Sequence, residues 1–179
     1  MTELQRTTPA AGQANGGTFE IVQGDYSTAG QKIASTLWTT HNGTQKKDVF
    51  LTWVEYYQWL QQLPRVKVKD QCQLIKLATF GDKRTDNYCL RHNANVLEVT
   101  GIEGDYDDGN MTPEQAVEML EAFNLKALIA PTFTSTPDKP RWRVLTPLSA
   151  PIEPEARLRY IEILNGMLGG DLASESKTL

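Results

Sequence analysis

The chain is poor in the side chains that build reactive sites on their own. It has two histidines and two cysteines in 179 residues. Cys72 and Cys89 are spaced too widely for the close pairs of a zinc site or a dithiol redox motif. Nothing argues for the oxidising compartment in which they would pair, so they read as reduced thiols. Without a His/Asp cluster, a metal-dependent phosphohydrolase or nuclease is a weaker reading. No apolar run approaches the length of a membrane span. Met1 to Gly17 is polar and lacks the basic start and apolar core of a signal peptide. Residues 1–20 are therefore expected to form a disordered lead-in, residues 21–179 a single domain, and the location is expected to be cytoplasmic, with no membrane partner.

An excess of positive charge is also missing. Lys and Arg number 18 against 22 Asp and Glu, a net charge of −4. This argues against indiscriminate coating of nucleic acid but leaves room for a local basic surface. Residues 65–91 carry Arg65, Lys67, Lys69, Lys76, Lys83, Arg84 and Arg91 against Asp70, Asp82 and Asp86. That stretch is a candidate phosphate-facing surface, although charge runs are usually solvated faces. An apolar fraction of 40% and a charged fraction of 22% fit a globular domain.

Periodicity supplies the elements. Residues 28–40 suggest a short helix around Ile33, Leu37 and Trp38. Asp48 to Leu63 suggests a longer one, with Phe50, Trp53, Val54, Tyr57 and Leu60 at helical intervals and Pro64 ending it. Cys72 to Phe80 and Val96 to Asp105 read as strands. Thr112-Pro113-Glu114-Gln115 opens the clearest helix, to Phe123, with Thr112 as cap, Pro113 at the first position and Gln115 closing a capping box. Val117, Leu120 and Phe123 would be its buried stripe, and Asn124 its left-handed end. Leu125 to Ala130 is a short apolar strand, 131–140 a loop, and Trp142 to Leu145 extended. A last helix starts at Pro154 with Leu158, Ile161, Leu164 and Leu168 inward and stops at Gly169-Gly170. The order predicts an α+β sandwich with helices on a mixed sheet.

Two motifs carry chemistry. In Gly101-Ile102-Glu103-Gly104-Asp105-Tyr106-Asp107-Asp108-Gly109, carboxylates stand where a buried strand runs out toward solvent. Residues 103, 105 and 107 share one face, about 7 Å between next-but-one positions. Three such carboxylates repel unless a positive group sits among them. Mg²⁺ or Mn²⁺ would serve, held by hard oxygen ligands; the plain alternative is a solvated acidic turn. The second motif is Thr134-Ser135-Thr136-Pro137-Asp138-Lys139-Pro140-Arg141-Trp142-Arg143-Val144. Arg141 and Arg143 alternate along a strand, Lys139 adds a third cation, and guanidinium groups grip phosphate oxygens in bidentate fashion. The alternative there is a surface turn whose arginines pair with carboxylates. Together, metal-binding carboxylates and a cationic clamp are what nucleotidyl transfer needs.

An Asp-x-Asp at a strand end, a helix, an apolar strand and then a Thr-Pro-Asp-Lys-Pro-Arg-Trp-Arg segment resembles archaeo-eukaryotic-type primases. It resembles most the primase–polymerase domains of phage and plasmid replication proteins. The likeness covers residues 72–179 and includes Leu90 to Val96 and the helix from Pro154 to Gly170. It implies an RNA-recognition-like core and a nucleotidyltransferase that adds nucleotides to a template-bound primer. By carry-over, Asp105 and Asp107 would be the catalytic metal pair, with Glu103 assisting or facing solvent. Ser135, Lys139, Arg141 and Arg143 would meet the nucleoside triphosphate. Lys67, Lys69, Lys76, Lys83, Arg84 and Arg91 would carry a single-stranded DNA template, and a helicase domain or other replication partner is implied. Two departures stand out. Ser135 occupies the place of a histidine common before the Thr-Pro, for which His92 is the candidate substitute. Neither Asp171 nor Glu175 fits the third metal-ligating carboxylate. A fragment of a longer primase–helicase would end as this chain does; so would a catalytically degraded relative that binds nucleic acid or protein.

Overall fold

Among the described residues the architecture is α+β, two antiparallel sheets carrying three helices. The computed structural model describes residues 20–22, 30–39, 42–62, 66 and 68–177; the expected lead-in falls almost wholly outside them. The strands are β1 (Glu20–Val22), β2 (Lys32–Trp38), β3 (Lys46–Thr52), β4 (Leu74–Lys76), β5 (Ala78–Phe80), β6 (Val96–Tyr106), β7 (Ala127–Pro131) and β8 (Trp142–Ile152). The helices are α1 (Trp53–Gln62), α2 (Pro113–Ala122) and α3 (Arg157–Met167). One sheet has the order β1-β7-β8-β6-β5, the other β3-β2-β4.

The sheets are not mixed; every pair of strands is antiparallel. Helix α2 crosses from β6 to β7, which run in the same direction, yet β8 lies between them and pairs antiparallel with both. This is a split β-α-β unit. Its helix forms where the sequence says it should. The Thr112 hydroxyl accepts from the Gln115 N–H at 3.3 Å, and the Gln115 side chain accepts from the Thr112 N–H at 2.8 Å. Asn124 ends the helix region at φ 51°. Ala116 and Leu120 are buried, whereas Phe123 is 56% exposed.

Three elements differ from the periodic reading. The expected helix at 28–40 is strand β2 within its described part. Its Ile33, Leu37 and Trp38 are buried together with Ser35 and Thr36, so both faces are covered and the helical spacing is incidental. The helix expected from Asp48 begins only at Trp53, after strand β3. Thr52 and Glu55 form a capping box there: the Thr52 N–H and hydroxyl donate to Glu55 Oε2 at 2.8 and 2.9 Å, and the Glu55 N–H donates to the Thr52 hydroxyl at 3.3 Å. At the other end of the chain, α3 turns Arg157 inward with Ile161, Leu164 and Leu168, while Leu158 is 48% exposed.

The strand expected from Cys72 to Phe80 is broken at Leu77, and the break joins the sheets. β4 pairs with β2, and β5 pairs with β6. Between them the Leu77 carbonyl accepts from the N–H groups of Thr100 and Gly101 at 2.8 and 3.0 Å. The Thr36 hydroxyl donates to the Ala78 carbonyl at 2.9 Å, and the Thr100 hydroxyl donates to the Ala34 carbonyl. One apolar core holds Ile102, Tyr106, Trp142 and Val144 against α2 and α3. The other holds Leu77, Leu128 and Leu145 with Tyr56 and Leu60 of α1.

Gly101 is required by this crossing. A Cβ there would lie 2.6 Å from the Thr146 carbonyl oxygen and 2.8 Å from Leu77 Cβ, both inside van der Waals contact. Gly101→Ala should therefore destabilise the chain by about 1–3 kcal/mol, as overpacking does. Gly166 in α3 faces open space, so Gly166→Ala should stabilise by roughly 0.5–1 kcal/mol. Urea unfolding of the two variants checks both signs.

Candidate functional site

The acidic and basic motifs meet as neighbouring strands. In the β6–β8 register, Asp105 lies opposite Arg143, Tyr106 opposite Trp142 and Glu103 opposite Leu145. Alternation then sorts the two faces. On one face Tyr106 and Trp142 stack with ring centroids 4.7 Å apart, both buried. On the other, Arg143 Nε and Nη2 donate to Asp105 Oδ1 and Oδ2 at 2.6 and 2.8 Å. One rung further out, Arg141 Nε lies 3.9 Å from Asp107 Oδ1. The result is a two-rung ladder of Asp and Arg at the open end of the sheet.

The loops beyond the ladder are held from below. The Tyr106 hydroxyl accepts from the N–H groups of Asn110 and Met111 at 2.9 and 2.7 Å, and Trp142 Nε1 donates to the Met111 carbonyl at 3.0 Å. In the basic loop the Ser135 hydroxyl accepts from the Arg141 N–H at 3.0 Å, and Thr134 Oγ1 accepts from Arg141 Nη1 at 3.4 Å. Thr136 and Lys139 exchange backbone hydrogen bonds of 3.1 and 3.2 Å across Pro137-Asp138. Gly109, at φ +85°, lies against the Lys139 stem, so the acidic and basic loops pack side by side. Ser135 thus braces the loop through the backbone of Arg141.

Burial grades along the acidic face. Side-chain exposure is 4% at Glu103, 29% at Asp105 and 54% at Asp107. Glu103 neither faces solvent nor joins an outward site. Its carboxylate accepts from the Leu77 N–H and lies 3.6 Å from Lys76 Nζ and 3.4 Å from Arg157 Nη2. Arg157 is 2% exposed, and its Nε and Nη1 have no hydrogen-bond partner. Burial pushes the Lys76 ammonium below its ordinary value against the pull of Glu103. Burial also opposes the charge on Arg143, but the Asp105 hydrogen bonds and charge outweigh it and hold the guanidinium above its ordinary value. The Tyr56 hydroxyl on this face is raised well above its ordinary value, by burial first and then by Glu103.

The sequence-predicted residues divide accordingly. Asp105, Asp107, Ser135, Lys139, Arg141 and Arg143 share one end of the sheet. Lys76 does not belong to an outer basic surface; its side chain is 16% exposed and turned to Glu103. Lys67 lies outside the described residues. Lys69, Lys83 and Arg84 are exposed and Arg91 is half-buried. Arg84 Nη1 spans the Thr44 and Tyr88 carbonyls at 3.2 and 2.9 Å, bracing its loop. His92 Nε2 is 2.9 Å from the Lys83 carbonyl oxygen. It precedes β6, whereas Asp105 is near the far end, roughly 30 Å away at the rise of a strand. His92 therefore does not reach the ladder, and the loop of Lys83, Arg84 and Arg91 stands beside the opposite end of β6.

The fit to a divalent cation is poor as the side chains stand. Both Asp105 oxygens are taken by Arg143, Glu103 is enclosed by cations, and among the described residues no three His, Cys, Asp or Glu side chains converge to hold a metal ion. Arg157 escaped the sequence reading, although 157, 161, 164 and 168 follow one helical stripe. No helix among the described residues is long and apolar enough to cross a membrane. No protein-family model, no curated protein and no solved structure matches this chain.

Removing the Glu103 charge leaves two enclosed cations without their shared partner. Glu103→Gln should cost about 3–5 kcal/mol, the usual penalty for breaking a buried pair from one side, measured by urea unfolding. Lys76 gives a second check. Its folded value lies below the ordinary 10.5, so between the two the unfolded chain holds a proton that the folded chain has lost. Stability attributable to Lys76 then rises with pH across that window. The difference between the wild type and Lys76→Met in unfolding midpoints should carry this positive slope as pH rises toward 10.5.

Proposed function

We propose that the open end of the β6–β8 ladder binds the phosphates of a nucleoside triphosphate, in a nucleotidyltransferase domain of the primase–polymerase kind. The observation that carries this reading is the side-by-side placement of the Asp105–Arg143 and Asp107–Arg141 rungs with Lys139 beside them. Guanidinium groups that donate to a carboxylate through two N–H groups can donate to two phosphate oxygens through the same fork. The split β6-α2-β7 unit with β8 between its strands is also the arrangement an RNA-recognition-like core requires.

In this reading Arg141 and Arg143 grip the triphosphate, Lys139 neutralises its outer charge, and the braced loop at Thr134–Thr136 fixes the approach. Asp105 and Asp107 would be the residues to hold Mg²⁺ or Mn²⁺, which would supply activation of the attacking hydroxyl and neutralisation of the pyrophosphate. A single-stranded DNA template that reached the ladder along β6 would pass the exposed Lys83 at the opposite end of that strand. The closed Asp105–Arg143 pair favours a second reading, in which the domain binds nucleotide or nucleic acid without turning it over.

Titration of fluorescent ATP should show binding that weakens at least about tenfold in Arg141→Ala, the loss of one charge-assisted contact. It should weaken further as salt rises. Primer extension on a single-stranded template with Mn²⁺ or Mg²⁺ separates the two readings: incorporation supports transfer, and binding without incorporation supports the binding module. Absence of nucleotide binding by the folded chain refutes the transfer reading, and absence of binding to both ATP and single-stranded DNA refutes both.

A further inference from the structure

The segment between β5 and β6, residues 81–95, is long and braced from within. Asn95, 3% exposed, donates from its side-chain amide to the Gly81 and Leu90 carbonyls at 2.9 and 2.7 Å and accepts from the Lys83 N–H at 2.9 Å. The Leu90 N–H donates to the Gly43 carbonyl at 2.9 Å, and Arg84 Nη1 joins the Thr44 and Tyr88 carbonyls. The turn between β2 and β3 is thereby fastened alongside. Surface loops packed by their own side chains frequently carry function.

At the tip stands a residue that the fold does not call for. The Tyr88 N–H donates to the Thr85 carbonyl at 2.8 Å, and the Thr85 N–H donates to the Cys89 carbonyl at 3.0 Å, closing a three-residue hairpin loop over 86–88. The last position of such a loop is left-handed and ordinarily glycine. Here it is Tyr88, at φ 59°, where a bulky side chain is strained. Nothing in the described fold offsets that strain. The residue is 70% exposed, its ring stacks on no other, and its hydroxyl makes no hydrogen bond among the described residues. Strain kept at an exposed position points to a partner outside the chain.

Charge narrows the partner. Lys47 alternates with Lys46 to the other face of β3. The remaining charged residues of 42–48 and 81–95 are Lys46, Lys83, Arg84 and Arg91 against Asp48, Asp82 and Asp86. Lys46 lies 3.9 Å from Asp48 and 3.7 Å from Asp82, so the rest of the loop sets Lys83, Arg84 and Arg91 against Asp86. An excess this small orients phosphates but does not hold a polyanion by charge alone. The affinity has to come from a flat contact, and a strand of unpaired bases offers both phosphates and flat faces.

We infer that Tyr88 is a stacking platform for an unpaired base of single-stranded DNA, with the exposed Lys83 and Arg84 beside it for the flanking phosphates. This rests on the nucleic-acid part of the reading above and not on the ladder, which lies at the other end of β6. The left-handed backbone holds the ring out from the loop surface, and the brace at Asn95 keeps the loop in place when a base arrives.

Fluorescence anisotropy of end-labelled oligothymidylate reads the platform, and urea unfolding reads the strain. Tyr88→Gly should bind the oligonucleotide at least about fivefold more weakly, the loss of one base stack. It should also unfold at a higher urea concentration, since glycine meets the left-handed position without strain. Tyr88→Phe keeps the ring and should bind as the wild type does. Lys83→Ala should lower the salt dependence of binding, whereas the ratio between wild type and Tyr88→Gly should hold as salt rises, because stacking releases no counterions. Equal affinity of wild type and Tyr88→Gly overturns the platform. So does a Tyr88→Gly chain that unfolds earlier than the wild type, or a Tyr88→Phe chain, folded by circular dichroism, that has lost binding. If the folded wild type binds ATP but not oligothymidylate, the platform fails and the ladder reading stands. If it binds oligothymidylate but not ATP, with the loss in Tyr88→Gly, the platform stands and the transfer reading fails.

Discussion

The fold turns on one enclosed carboxylate. Glu103 is the point where the bend at Leu77, the central strand β6 and the first residue of α3 are tied together, through the Leu77 N–H, Lys76 and Arg157. Buried ion pairs contribute little net stability, because desolvation offsets their attraction. Their stronger effect is on register. A one-residue slip of β6 would move Glu103 to the face occupied by Ile102 and Tyr106, among the apolar side chains of α2 and α3. Lys76 and Arg157 would then be enclosed with no counter-charge. The carboxylate thus specifies which residues of β6 face outward, and through them the rungs at 105 and 107.

Alternation does the rest. Because successive side chains of β6 and β8 point to opposite faces, an aromatic stack and an ionic ladder are built from the same few residues. Tyr106 and Trp142 fill the core, and the residues on either side of them face the other way as carboxylates and guanidiniums. The backbone ladder between β6 and β8 fixes how closely the strands approach, and that spacing allows Arg143 to meet Asp105 with two nitrogens. Burial decreases from Glu103 to Asp107, so three chemically similar groups have three environments: enclosed, half-open and solvated.

Much of this was legible from residues. The capping box at Thr112 and Gln115, the left-handed Asn124, the central strand and the pairing potential of the two motifs all follow from local chemistry that tertiary structure leaves intact. The failures have physical causes. β2 is buried on both faces, so its strand period is hidden and three apolar residues mimic a helix. The start of α1 was written in Thr52 and Glu55, a capping signature overshadowed by the apolar spacing that begins in β3. The inward turn of Lys76, and of Arg157 in place of Leu158, depends on a carboxylate distant in sequence. No local pattern marks a cation as core when its partner arrives from another element. His92 was grouped with the phosphate residues by chemical type alone, and strand length separates it from them.

The two N–H groups gathered by the Tyr106 hydroxyl bear on the thermodynamics of recognition. A loop that must become ordered around a ligand gives up conformational entropy at that moment, and affinity falls accordingly. Here the backbone at Asn110 and Met111 is already fastened to a ring packed in the core, and Trp142 fastens the same turn from the neighbouring strand. The mouth of the site therefore resembles a preset frame. Under the proposed nucleotide reading, what would remain to be arranged on binding is a handful of side-chain rotamers, and selectivity among ligands would then rest on charge and shape.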